Sequence, residues 1–411
     1  MEELLLRKYG GAVIQFPNDP QIEYLVGQSQ IDTRPMVPFN DLVCEFLNEF
    51  ASRIRKNSDA AQFTDILTFA FWCRKSSIQM LKSEFHENKK RVGRGFTFHI
   101  TPSNVPINFA FSLVFGMLSG NANVVRVPSK EYPQTNIICS VLNSLFSEKK
   151  YLKIREMNAI VRYKKNDDIT GRFSKYCNAR IVWGGDNTIF SIKKIFIPAR
   201  CVEIAFSDRY SFCILNPREI IQLNENSLNQ LAIKFYNDTY LMDQNACSSP
   251  RLVIWLGEEA DKGKEIFWQA VRQVIEKKYL IEYIQSVDKY TQLCRSAIDI
   301  ETSISFKTDG IRLYRINLET LPENKEQLTG KFGLFYEFST NNLDSIVHLV
   351  DTSFQTLTYF GVEKLDILDF VIKNRLSGID RIVPVGKALD MGIIWDGYDI
   401  VKSLSRIIDI T

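Results

Sequence analysis

Residues Phe96 to Val127, FTFHITPSNVPINFAFSLVFGMLSGNANVVRV, set the architecture. A short apolar run, Phe96 to Ile100, is broken by Pro102 and Pro106. It is followed by an apolar segment of helical length, Ile107 to Leu118, and by a second apolar run, Asn123 to Val127. Strand, helix and strand in that order predict a βαβ unit with parallel strands buried on both faces. No side chain from Ile100 to Val125 is charged, a length that could cross a bilayer. Pro102, Asn104, Pro106, Asn108, Asn121 and Asn123 would leave broken backbone and unsatisfied amides in hydrocarbon, so burial inside a folded protein is the better account and no transmembrane segment is expected.

Outward from this unit the alternation continues. Strands are expected at Asn158 to Tyr163, Arg180 to Trp183 and Cys201 to Phe206, and helices at Gln134 to Phe146, Asp168 to Tyr176 and Asp186 to Lys194. The α/β series predicts a parallel sheet with ligands at the carboxyl ends of its strands. A second series has helices at Asn224 to Phe235, Ala260 to Lys277 and Glu282 to Ala297, and strands at Leu252 to Leu256, Ile311 to Ile316 and Gly333 to Phe338. Helices at Leu343 to Val350 and Lys364 to Asn374 complete it. Upstream, Asn40 can cap a helix reaching Lys56, and Ser58 or Asp59 another reaching Lys82. The expected division is residues 1–215, 216–385 and a C-terminal segment 386–411 that returns to the first domain or serves an oligomer interface.

Composition narrows the function. The chain has 411 residues, and 51 Lys and Arg against 48 Asp and Glu give a net charge of +3, too little for a polyanion-binding surface, so nucleic acid is not expected. Eight cysteines lack paired spacing and Met1 is followed by Glu2 and Glu3 instead of a basic and apolar leader, which points to a reducing cytoplasm. His86, His99 and His348 have no partner at metal-ligand spacing, and no metal is expected.

Four segments could carry chemistry. Cys247 stands among small and polar residues, Met242 to Arg251, in a loop leading into an apolar strand; a thiol there can be a nucleophile, or merely structural. Asn104, between Pro102 and Pro106, is either a turn residue or an amide donor for an oxygen that becomes negative. Arg126 and Lys130, at the end of the strand after Gly120, can reach a phosphate or ribose. Trp183, Gly184, Gly185 and Asp186 end a strand and open a helix, letting backbone approach an anionic group at a helix N-terminus.

In this order, the segments resemble the aldehyde dehydrogenase superfamily, and within it the acyl-CoA reductases of the bacterial bioluminescence (LuxC) type. Pro102 to Pro106, Gly120 to Pro128, Trp183 to Asp186 and Gln244 to Pro250 resemble the superfamily's motifs. Gly378 to Gly386 and Trp395 to Asp399 resemble the tail of the LuxC branch. The resemblance implies a Rossmann-type cofactor domain, a catalytic domain and a homo-oligomer. It further implies reduction of an acyl-CoA or other acyl thioester to a long-chain fatty aldehyde, with an acyl-protein synthetase and a thioesterase as partners. Cys247 would form the acyl-enzyme, and Asn104 with the Cys247 backbone N–H would hold the oxyanion.

The resemblance also implies a nicotinamide cofactor. Val127 stands where many members carry a ribose-binding Lys, and the basic pair Arg126 and Lys130 would suit the 2′-phosphate of NADPH. Ala205 stands where hydrolytic members carry a water-activating Glu, with Glu203 two residues away. Glu337, after Phe332 and Gly333, resembles the carboxylate at the nicotinamide ribose. Rival readings are an aldehyde-oxidising dehydrogenase and a non-catalytic scaffold on the same fold.

Overall fold

The computed structural model describes residues 13–85, 89–300 and 304–410, so His86 lies outside the described residues. Two compact units divide the chain, Met1–Ser207 with Met391–Thr411, and Asp208–Asp390.

The first unit is built on β1 (Glu23–Val26), β2 (Phe96–Ile100), β3 (Ala122–Val127), β4 (Asn158–Arg162), β5 (Ala179–Trp183) and β6 (Val202–Phe206), in the spatial order β1-β4-β3-β2-β5-β6. β1 runs antiparallel to β4, and all other pairs are parallel. The five parallel strands therefore follow the dinucleotide-binding order, and the direction of winding reverses between β2 and β5. The uncharged run resolves as the end of β2, a wholly buried helix α1 (Asn108–Leu118) and β3. Among the described residues no helix is long and apolar enough to cross a membrane.

Asn40 caps the helix Asp41–Lys56 by accepting from the Leu42 amide. The single helix expected up to Lys82 is instead two, Thr64–Trp72 and Lys75–Glu84. The break is held open because Asn48 Oδ1, from the preceding helix, accepts from the Lys75 amide at 3.0 Å. The tail comes back to this unit: Ser405–Ile408 pairs antiparallel with Lys90–Gly93, and Asn121 donates to Leu404 O at 2.9 Å.

The second unit contains β7 (Tyr210–Leu215), β8 (Leu252–Leu256), β9 (Ile304–Asp309), β10 (Leu313–Leu318), β11 (Leu334–Thr340), β12 (Phe354–Phe360) and β13 (Arg381–Pro384). Their order is β9-β10-β11-β8-β7-β12-β13, parallel except for β9 on β10. The boundary expected after residue 215 falls after Ser207, because β7 pairs with β8 and β12. β7, β9, β12 and β13 were not among the expected strands, and Leu343–Leu349 is a 3₁₀ segment in place of the expected α-helix. Helices α3 (Glu225–Thr239), α4 (Ala260–Lys278) and α5 (Tyr283–Asp299) belong to this unit; α2 (Asp186–Lys193) belongs to the first.

Candidate active site

Cys247 lies in the loop that leads from α3 into β8, at the amino ends of the parallel strands. The carboxyl-end rule expected from the sequence thus describes the first unit's candidate residues and not this thiol. Asp243 and Gln244 open the loop in left-handed conformation, with φ of 52° and 55°. A non-glycine residue pays for such a conformation unless its surroundings hold it there. Here a second left-handed pair, Phe332 and Gly333 (φ 58° and 85°), supplies the hold. The wholly buried Gln244 accepts from the Gly333 amide at 2.8 Å and donates to Pro250 O and Leu334 O. Asp243 O accepts from the Phe332 amide at 3.2 Å, while the Asp243 carboxylate takes Tyr279 Oη at 2.6 Å and Gln285 Nε2 at 3.3 Å. Lys289 underpins the second loop by donating to Ile311 O and Phe332 O, and its burial pulls the ammonium's pKa down to about 7.

Cys247 itself is partly buried. Its carbonyl accepts from Ser211 Oγ on β7 at 2.7 Å, and its Sγ takes the Gln355 amide of β12 at 3.4 Å. Cys247 is therefore held through its carbonyl by β7 and through its sulfur by β12, and the residue is partly exposed, unlike Cys213, which is wholly buried and whose thiol burial pushes well above its ordinary pKa.

In the first unit, the candidate segments gather at the carboxyl ends of β2, β3 and β5, on either side of the reversal. Asn104 is exposed in the bend after β2. Lys130 is exposed beyond β3, whereas Arg126 folds back: its Nη2 donates to Tyr163 O at 3.3 Å and its guanidinium lies 5.2 Å from the Tyr163 ring centre. Gly184 donates to Phe206 O, Gly185 stands at the cap of α2, and Asp186 is exposed in its first turn. The first amides of α2 have no intrahelical acceptor and can meet an anionic ligand.

Trp183 is mostly buried, and its ring stacks on Phe206 at 3.8 Å. Its indole N–H donates to Ser112 Oγ at 2.9 Å, so it supports the strand end with its side chain. Ser112 in turn meets His99 Nδ1 at 2.8 Å, and His99 Nε2 meets Asn123 Oδ1 at 3.0 Å. Since the Asn123 oxygen only accepts, the imidazole carries its proton on Nε2 and Ser112 donates to Nδ1. His99 is neutral, its pKa lowered by burial to about 4.

The sequence profile of the family described as "Acyl-CoA reductase (LuxC)" matches residues 58–290, more than half of the chain. The chain belongs to the LuxC family. Among curated relatives, the long-chain acyl-protein thioester reductase 2 of Photobacterium leiognathi is 22% identical over 190 residues, covering 46% of this chain and 37% of that one. The long-chain acyl-protein thioester reductase of Photorhabdus laumondii is 20% identical over 177 residues, covering 43% and 35%. Each match thus spans little more than a third of the relative's length.

Among solved structures, PnpE from Pseudomonas sp. WBC-3 superposes with a TM-score of 0.62 at 9% identity, over 89% of this chain and 83% of that one. An NAD-dependent benzaldehyde dehydrogenase from Corynebacterium glutamicum gives 0.59 at 13% identity, over 97% and 96%. The LuxC chain therefore has the aldehyde dehydrogenase fold, as its motifs imply.

Two carboxylates of this LuxC member have internal partners. Glu337, assigned from the sequence to the nicotinamide ribose, is 3% exposed on β11, and its Oε1 accepts the indole N–H of Trp255 at 2.8 Å and of Trp268 at 2.7 Å. Through that one oxygen it satisfies two buried indoles. Glu203 pairs with Arg180 on the neighbouring strand. Sequence reasoning missed Ser211 and Gln355 because each acts through a distant partner and belongs to no local motif; Gln244 lies in a recognised motif, but its contacts to Gly333 and Leu334 are not visible there.

Proposed function

We propose that the chain reduces an acyl thioester, acyl-CoA or an acyl group delivered by an acyl-activating protein, to an aldehyde through an acyl-enzyme on Cys247. The Cys247 sulfur attacks the thioester carbonyl, a new S–C bond forms, and the thiol of the donor leaves. Asn104 and the Cys247 backbone N–H hold the oxyanion of this step and of the next. A reduced nicotinamide, NADPH in this reading, supplies two electrons as hydride when bound. The resulting thiohemiacetal then collapses, releasing aldehyde and restoring the Cys247 sulfur.

The fit of such a cofactor is supported by the dinucleotide strand order of the first unit and by the Gly184–Gly185 turn ahead of α2. Lys130, exposed beyond β3, is the cation for a 2′-phosphate, while Arg126 is turned back onto Tyr163. The observation that carries the reading is Cys247 held, partly open, by Ser211 and Gln355. Reduction is favoured over aldehyde oxidation because Ala205 supplies no base and Glu203 is held by Arg180, leaving water without an activator at that strand.

The test is incubation of the protein with an acyl-CoA and NADPH, following loss of NADPH absorbance and formation of aldehyde. Cys247→Ala should lose both reduction and covalent labelling by radioactive acyl-CoA; a variant that is still labelled and active refutes the acyl-enzyme.

A further inference from the structure

We propose that Gln355, polarised by Thr356 and Arg381, is the hydrogen-bond donor that keeps the Cys247 sulfur ionised. This rests on the reading of Cys247 as the nucleophile. The contacts run in one direction only. A guanidinium has donors and no acceptor, so Thr356 Oγ1, 3.2 Å from Arg381 Nη1, accepts there. Its single hydroxyl proton then goes to Gln355 Oε1 at 3.3 Å. With the amide oxygen so engaged, Gln355 turns Nε2 to Cys247 Sγ at 3.4 Å.

An amide N–H pointed at sulfur favours the thiolate, a far better acceptor than the thiol. The cation at the far end polarises each donor along the chain, and because Gln355 and Thr356 are buried, water does not screen it. Arg381 is itself held in place by Ala388 O at 3.1 Å and Asp390 O at 3.0 Å. Charged groups on the same loop and the flanking segments include Asp243, whose carboxylate takes Tyr279 Oη and Gln285 Nε2, Arg251, whose guanidinium lies 5.9 Å from the Tyr210 ring centre, and the pair Arg209 and Asp380, 4.0 Å apart. Consecutive residues of β12 thus grip both ends of Cys247. Gln355 takes the sulfur, and the Thr356 amide donates at 3.1 Å to Ser211 Oγ, which holds the carbonyl. Ionisation releases the thiol proton to solvent and needs no further reactant. Gln355 touches the reacting atom; Thr356 and Arg381 are positioning residues.

The experiment is the rate of alkylation of Cys247 by iodoacetamide as a function of pH in the full chain, read by mass spectrometry of the Cys247 peptide. Gln355→Met should slow alkylation at pH 7 about tenfold and move the midpoint of the pH profile upward. Thr356→Val should move it the same way by less, and Thr356→Ser, which keeps the hydroxyl, should restore it. Should Gln355→Met fail to fold, the Thr356 pair carries the test. Folded Gln355→Met or Thr356→Val with the profile of the unmodified chain overturns the proposal. If the profile moves as expected but no acyl-CoA is reduced, the relay stands and the reductase reading falls; reduction with an unmoved profile gives the converse.

Discussion

The guanidinium of Arg180 and the carboxylate of Glu203 face each other across the paired strands β5 and β6, with the arginine side chain wholly buried and that of Glu203 16% exposed. Arg180 also donates to Ser174 Oγ at 3.2 Å and Ile195 O at 3.1 Å.

Glu203→Gln removes the counter-charge and leaves the cation in place. The expected loss is about 3 kcal/mol, because an uncompensated buried charge costs more than the pair contributed. Urea unfolding measures it. Hydrolysis of the acyl-enzyme should be unaltered in the folded variant; a drop would mean that this carboxylate activates water after all.

His99 makes the first unit sensitive to acid. Its pKa in the folded state, about 4, lies below the ordinary value of 6.5, so unfolding takes up a proton between those pH values. Stability from this group is full above about pH 6.5, declines as pH falls, and is lost by about pH 4, a total of roughly 3 kcal/mol. Urea midpoints measured across pH 4 to 7 should show this slope, and His99→Gln should flatten it.

Gly333→Ala tests the grip of the two left-handed loops. An added Cβ would lie 2.2 Å from Arg312 O and 2.7 Å from Tyr240 Oη, at a φ of 85° that side chains resist. A loss of about 2–4 kcal/mol is expected in thermal unfolding. Because the Gly333 amide is bonded to Gln244, acylation of Cys247 should slow as well. A variant of unchanged melting temperature would show that the loop relaxes freely.

Asn104→Ala tests the proposed oxyanion contact. Loss of one such donor typically lowers kcat by about 10²–10³-fold. The exposed position of Asn104 predicts little change in stability. Steady-state kinetics with acyl-CoA and NADPH should show kcat falling with KM nearly constant, and an unchanged kcat would remove Asn104 from the mechanism.

Local pattern alone was enough for the βαβ unit from Phe96 to Val127, the Asn40 cap, the family motifs and the place of Cys247 ahead of a strand. Such features depend on neighbours within a few residues, whose spacing decides between helix and strand and whose side chains cap or break them. Which sheet a strand joins is not of this kind. Tyr210 to Leu215 is an apolar run that either sheet could bury, and only pairing with Leu252–Leu256 and Phe354–Phe360 assigns it to the second. The same holds for polar side chains: only folding brings Trp255 and Trp268 to face Glu337 from β8 and α4, and only folding sets the Gln355 amide against a sulfur 108 residues away. Chain proximity writes secondary structure, whereas the partner of a buried polar group is chosen by the packing that excludes water from it.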